Sequence, residues 1–248
     1  MTSDKSGRPR NNLLRHLSES DYALISPYIQ IDSLAANEVL FNPGDDVDTV
    51  YFPCEGSVAC FVLVIEDGRE AEVVLIGREG AAGGIVSHGR LPAFSRVVVR
   101  LGGLFARLPV ARLEAAKVKS GSMANVFARY ADCLLAQTLQ SSACNAAHSI
   151  EQRAAKWILA AMDRTGRKTL PFSHEQLATM LGVGRSYASR VLQGFRAQGI
   201  LETKRLELQV VDRAALRSKS CNCDEAVKSH FAEVLRGVYP VSNVGSRR

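Results

Sequence analysis

Residues Ser173–Leu192 read SHEQLATMLGVGRSYASRVL. A serine with Gln176 three positions on is a capping box, in which side chain and backbone at a helix start satisfy each other's orphan donors. The helix it opens turns Leu177, Ala178, Met180 and Leu181 inward, and Gly182-Val183-Gly184 breaks it with a short turn. A second helix, Arg185 to about Gln198, buries Tyr187 or Ala188, then Val191, Leu192 and Phe195. Two short helices about such a turn form a helix-turn-helix, a unit that lays its second helix in a DNA major groove. Arg185, Ser186, Ser189 and Arg190 fall opposite the buried residues and are the expected base readers. An arginine fork donates twice to guanine O6 and N7, whereas serine accepts many partners.

Outward from this unit the same logic continues. Upstream, Ser149 with Gln152 makes another capping box, for a helix whose apolar face is Ile150, Ala154, Trp157, Ile158 and Ala161 and which runs out at Thr165-Gly166. Downstream, Gly199–Thr203, a Lys204-Arg205 tip and Leu206–Val211 read as a hairpin wing. Ser173, Lys204 and Arg205 are therefore expected on phosphates, which position a protein on DNA without specifying sequence. Charge supports the same place. Residues 149–219 carry 13 Lys/Arg against 6 Asp/Glu, net +7, while residues 1–119 carry 13 against 15, net −2. The whole chain is only +6, so one segment holds the positive excess that a polyanion attracts.

The 248 residues are 46% hydrophobic and 23% charged, ordinary values for a globular protein of one or two domains. No window approaches the ~20 apolar residues of a membrane helix. Met1–Asn12 is polar and basic with no apolar segment behind it, which predicts no secretory signal, a cytoplasmic location and six reduced thiols. Disordered, collagenous, disulfide-scaffold and membrane classes are excluded.

Before residue 120, Gly44, Gly56, Gly68 and Gly80 recur every twelve residues in turn contexts. Between and after them lie the β-rich runs Val50–Phe52, Val58–Ile65, Glu72–Ile76, Val97–Arg100 and Leu104–Leu108. Strands at this spacing predict a sandwich or small barrel. Leu13, Leu14, Leu17, Tyr22, Leu24 and Ile25 suggest short helices over one end. Asp32–Glu79 holds 11 acidic residues and only two basic ones, Arg69 and Arg78. The run Gly77–Gly84 reads either as a flexible connection or as an anion-cradling turn; in the second case Gly77, Arg78, Glu79, Gly80 and Arg96 form the effector region. No phosphate-binding GxxxxGK[ST] loop is present.

From Ser122 to Ala147 there is neither Pro nor Gly. Met123, Phe127, Tyr130, Leu134 and Thr138 alternate by four and three, the seam expected of paired helices. The same stripe suits a helix packed on its own barrel, and it is wide enough for both. A homodimer is the expectation.

With these parts in order, the chain resembles the Crp/Fnr superfamily of bacterial transcription regulators over roughly residues 12–225. The most specific stretch is Ser173–Leu192, followed by Gln198-Gly199-Ile200-Leu201 and Val211-Asp212-Arg213. The resemblance implies an α+β chain. It comprises a β-roll or barrel of cyclic-nucleotide-binding type (residues 12–120), a long dimerisation helix (121–148), a winged helix-turn-helix (149–219) and a tail with a short helix (220–248). Family recognition helices often read R-E-x-x-x-R or E-x-x-S-R. Arg185 and Arg190 match the first pattern and Ser189-Arg190 the second, but Ser186 replaces the glutamate, so the half-site cannot be copied from relatives. Nucleotide-binding members carry a Gly-Glu, small-residue and Arg grip. Here the matching places hold Gly77-Arg78-Glu79-Gly80 and Phe94-Ser95-Arg96-Val97, out of register, and the effector is expected not to be cyclic AMP. Cys54, Cys60, Cys133 and Cys144 lack the spacing of the family's iron–sulfur members. No cofactor and no metal are expected. The implied partners are double-stranded DNA, a second copy, an unknown small molecule and RNA polymerase.

The remaining motifs carry little. Cys221-x-Cys223 reads as a surface turn with two thiols, or more weakly as a metal or redox pair. His16, His88, His148, His174 and His230 are scattered, with no HExxH or GxSxG, so no enzyme is expected. A rival function is a ligand-binding regulatory subunit acting through protein contacts without DNA.

Overall fold

The computed structural model describes residues 7–66, 70–171, 173–204, 207–236 and 238–239. Two antiparallel sheets build the first half. One has the order β1 (Gln30–Leu34), β7 (Gly103–Pro109), β3 (Thr49–Pro53); the other has the order β2 (Val39–Phe41), β6 (Arg96–Leu101), β4 (Val58–Val64), β5 (Glu70–Ile76). Between them lies a core of Phe41, Ala59, Val74, Ile76, Val97, Val99 and Phe105. The expected strands are all present. The short β1 and β2 are additions that sequence reasoning missed.

β6 is buried along almost its whole length, and β4 at Val58, Ala59, Cys60 and Val62, because both faces are covered there. Ala59, Val97 and Val99 line the interior, while Val58, Cys60, Val62, Val98 and Leu101 turn outward into a second core shared with the C-terminal domain. Strands covered on both sides lose polar alternation and become continuous apolar runs. A buried ion pair, Glu72 with Arg100, joins β5 and β6 across the outer face of this sheet, and the Cys60 thiol donates to Glu72 at 3.3 Å. Burial pushes the Glu72 carboxyl up, and the Arg100 guanidinium only partly opposes this.

The other sheet carries helices. α1 (Asn12–His16), α2 (Glu19–Ile25), α3 (Val110–Lys119), the long α4 (Gly121–Ala147) and α9 (Cys223–Leu235) gather on β3 and β7. On α4, Met123, Phe127 and Tyr130 are fully buried inside their own subunit. Phe127 packs edge-on against Phe52 (6.4 Å between ring centroids) and Tyr130 against Phe231 of α9 (6.2 Å). These three residues therefore do not form an outer seam. Gly80 permits this approach, since a Cβ there would stand 2.1 Å from the Tyr130 hydroxyl. Gly44 and Gly56 serve as expected, at φ +88° and +91°, and Gly68 lies outside the described residues.

The face of α4 that remains open is one residue further round, about 100° on a helix. Ala128, Leu135, Thr138 and Leu139 are exposed and Ala124 and Ala131 half-buried, again spaced by four and three. Leu135 and Leu139 keep 60% and 63% of their surface in water.

The C-terminal domain comprises α5 (Ile150–Thr165), β8 (Thr169–Leu170), α6 (His174–Leu181), α7 (Arg185–Ala197), β9 (Leu201–Lys204), β10 (Glu207–Val210) and α8 (Arg213–Lys219). Its sheet has the order β8-β10-β9. Both expected capping boxes are formed, and Gly166 and Gly182 end their helices in the left-handed conformation at φ +69° and +65°. Among the described residues no helix is long and apolar enough to cross a membrane.

Candidate nucleic-acid interface and sensor cleft

α7 is held by one buried stripe, Ala188, Leu192 and Phe195, so the sequence alternative resolves to Ala188. Tyr187 is 42% exposed on the opposite side. Arg185, Ser186 and Arg190 are exposed with it, and the Arg190 guanidinium lies over the Tyr187 ring at 5.1 Å. A stacked guanidinium is held extended, and both groups present flat donor or apolar surface outward. Tyr187 is the outward residue that sequence reasoning missed. Its one-residue offset from the Ala188–Leu192–Phe195 spacing was the available signal.

Ser189 differs from its neighbours. It is half-buried, and its hydroxyl meets His174 Nδ1 of α6 at 2.9 Å, so it ties the two helices together. Ser173 accepts from the Gln176 N–H at 3.1 Å while Gln176 accepts from the Ser173 N–H at 2.8 Å. Its hydroxyl hydrogen remains a donor at the N-terminus of α6. Arg185 is 3.9 Å from Glu175, both exposed. The Lys204 side chain and Arg205, expected on phosphates, lie outside the described residues.

The Gly77–Gly84 run commits part of its backbone to contacts within the protein. Four of its eight N–H groups are spent internally: Gly77 donates to Glu79 at 3.1 Å, Gly80 to the Gly77 carbonyl at 3.2 Å, Ala81 to Tyr130 at 2.8 Å and Ala82 to the Tyr51 carbonyl at 2.8 Å. Glu79 accepts from Arg164 of α5 at 2.7 Å. Arg96 is paired with Glu70 at 2.5 Å, and Arg78 lies 4.0 Å from Glu55. The two arginines thus do not converge with Glu79 on one ligand, because each is claimed by a carboxylate of the acidic barrel.

The cleft inside the roll lies elsewhere. It encloses about 520 Å³ between Phe41, Phe61, Leu63, Val73 and Phe94, with Leu134 and Thr138 of α4 at its side. Among the described residues, none that lines it is charged. Leu134, expected in the dimer seam, therefore borders the cleft, and Thr138 stands at its rim while staying exposed on α4.

The histidines are dispersed. His16 stacks near Tyr239, His88 is 3.7 Å from Glu114, His174 meets Ser189 and His148 meets Cys223. Cys221 and Cys223 do not lie on a surface turn: they are 5% and 7% exposed and pack with Cys144.

Residues 152–219 match the family model of the Crp-like helix-turn-helix domain. FixK2 from Bradyrhizobium japonicum superposes with a TM-score of 0.65 at 15% identity, covering 78% of this chain and 98% of its own. The c-di-GMP responsive global regulator CLP of Xanthomonas campestris gives 0.64 at 18%, covering 79% and 100%. TTHB099, a CRP-family transcriptional regulator of Thermus thermophilus, gives 0.63 at 19%, covering 76% and 95%. No curated protein matches the chain in sequence. Together these show a shared fold, a β-roll joined by a long helix to a winged helix-turn-helix. The fold is the one seen in those regulator structures, and residues 152–219 are similar to the Crp-like helix-turn-helix domain.

Proposed function

We propose that the chain is a homodimeric, sequence-specific DNA-binding transcription regulator whose α7 reads the major groove. The observation that carries this is the outward face of α7. Arg185, Ser186, Tyr187 and Arg190 are solvent-facing on a rod whose reverse is locked by Ala188, Leu192 and Phe195. They sit within the segment that holds the chain's positive excess. Arg185 and Arg190 read base edges, and Ser173, Lys204 and Arg205 supply phosphate contacts that set register.

The dimer forms along Ala124, Ala128, Ala131, Leu135, Thr138 and Leu139, whose small-and-large alternation suits a close helix pair. Such a pair places two recognition helices about one helical turn, ~34–36 Å, apart on a near-palindrome. The effector is apolar rather than a cyclic nucleotide, because a phosphate in the roll cleft would meet no cationic side chain among the described lining residues.

Selection of bound fragments from a random DNA pool tests this reading. A palindromic consensus, protected in footprinting by the purified chain, is the expected result. Recovery of unselected sequence, with a small molecule or protein bound instead, would favour a regulatory subunit that works without DNA.

A further inference from the structure

The last turn of α4 carries Cys144 and, four residues on, His148, so both face the same way where the helix ends. The loop between α8 and α9 brings back Cys221 and Cys223, 77 residues away from Cys144 in the case of Cys221. Cys144 Sγ stands 3.6 Å from Cys221 Sγ, and Cys223 Sγ stands 3.6 Å from His148 Nδ1. All four donor atoms lie within 4.8 Å of one another. A tetrahedral zinc ion with bonds of about 2.3 Å to sulfur and 2.0–2.1 Å to nitrogen has edges of about 3.8 Å between sulfurs and about 3.5 Å from sulfur to nitrogen. The two shortest separations fall close to those edges.

The surroundings point to the same occupant. Cys144, Cys221 and Cys223 are buried yet form a cluster apart from the three aliphatic cores, so hydrophobic packing does not account for it. Two buried cations of α5 adjoin them. Lys156 Nζ donates to Cys144 Sγ at 3.4 Å, and Arg153 donates to the Leu181 carbonyl at 2.8 Å. Among the described residues no carboxylate pairs with either. A buried ammonium without a counter-charge is costly. Gln140 Nε2 also donates to Cys223 Sγ at 3.2 Å. N–H donors aimed at ligand sulfurs are the usual outer support of a metal–thiolate centre.

We propose that Cys144, His148, Cys221 and Cys223 bind one Zn²⁺ in a closed structural site that staples the end of α4 to the α8–α9 junction. Three thiolates, a neutral imidazole and Zn²⁺ sum to −1, the charge Lys156 lacks. Loading releases the three thiol protons to solvent and changes no oxidation state. Four donors converging on one point leave room for an ion and not for an iron–sulfur cluster. A Cys144–Cys221 disulfide would leave Cys223, His148 and the two cations unexplained.

The test uses the full chain, purified without chelator or added metal. Elemental analysis should find about one zinc per chain, released to a colourimetric chelator only when a mercurial blocks the thiols. Cobalt(II) exchange should produce the intense visible bands of a tetrahedral thiolate site. Cys221→Ser should lower bound zinc at least tenfold, and Cys54→Ala should leave it unchanged. Should Cys221→Ser fail to fold, wild-type release and the cobalt spectrum decide alone. Trace zinc only, with no cobalt uptake by the fully reduced chain, would overturn the proposal. So would zinc retained in folded Cys221→Ser, or a Cys144–Cys221 disulfide found by mass spectrometry after anaerobic purification.

Discussion

Glu79, on the loop after β5, accepts a 2.7 Å hydrogen bond from Arg164 at the end of α5, and Arg164 reaches Asp224 of α9 at 3.4 Å with its other arm. One guanidinium thus ties the roll, the helix-turn-helix domain and the tail. Burial works against the charged form of Arg164, but the two carboxylates outweigh it and hold the group firmly protonated. Arg164→Ala should cost about 3 kcal/mol in denaturant unfolding, at the low end for breaking a buried pair because Glu79 keeps partial access to water. A loss below about 0.5 kcal/mol would show that the tie contributes no more than an exposed pair does.

Arg190→Ala should weaken operator binding by about 1–3 kcal/mol and relax specificity at one position of each half-site. Tyr187→Ala, which removes the ring beneath that guanidinium, should move in the same direction by less. Titrations on operator and random DNA check both. Equal losses on the two DNAs would deny Arg190 its base-reading role.

Leu135→Glu should dissociate the proposed dimer while leaving the monomer folded, because the side chain already faces water in the single chain. Phe127→Ala should instead destabilise the fold by about 3–5 kcal/mol with the oligomer otherwise unchanged. Sedimentation velocity and chemical unfolding separate the two effects, and the reverse pattern would restore the Met123–Phe127–Tyr130 seam.

Tyr130→Phe deletes a hydroxyl that both accepts from and donates to Ala81, at 2.8 and 2.9 Å. Leaving that buried peptide unpaired should cost about 1–3 kcal/mol. Gly80→Ala should be at least as harmful, since its Cβ has nowhere to go. Thermal melts of both variants check this.

Asp163 on α5 binds Lys228 and Arg213. Burial alone would raise its carboxyl, but these bonds more than offset it and hold the group below its usual 3.8. The folded value is the lower one, so the contribution is present at neutral pH and is lost as acid passes below about pH 4. Lys228, raised above 10.5 although burial opposes it, keeps its share up to that pH and loses it in stronger base. Asp163→Asn should flatten the acid limb of a pH–stability profile, and an unchanged limb would count against the assignment.

Much of this was legible from local pattern. Ser149/Gln152 and Ser173/Gln176 fixed two helix starts, and the Val58–Val64 run fixed a strand. Periodicity on α4 located a stripe but not its partner: Met123–Phe127–Tyr130 and Ala124–Ala128–Ala131 have the same spacing, and only the roll's position shows which is covered. The two readings of Gly77–Gly84 could not be separated in sequence, because Gly80 serves a close approach to Tyr130, a relation between residues 50 apart. Cys144 and His148 meeting Cys221 and Cys223 is likewise invisible to any local window. β8, two residues long, and the three-residue β2 are too short to show a period.

The sheet β2-β6-β4-β5 is a partition one strand thick. Phe61 and Val97 touch the cleft on one side, while their chain neighbours Cys60 and Val98 seat the winged helix on the other. Adjacent residues share a backbone, so a guest that spreads the inner lining displaces the outer one by the same stroke. On the proposed reading, occupancy of the cleft would be felt at α7 through this wall.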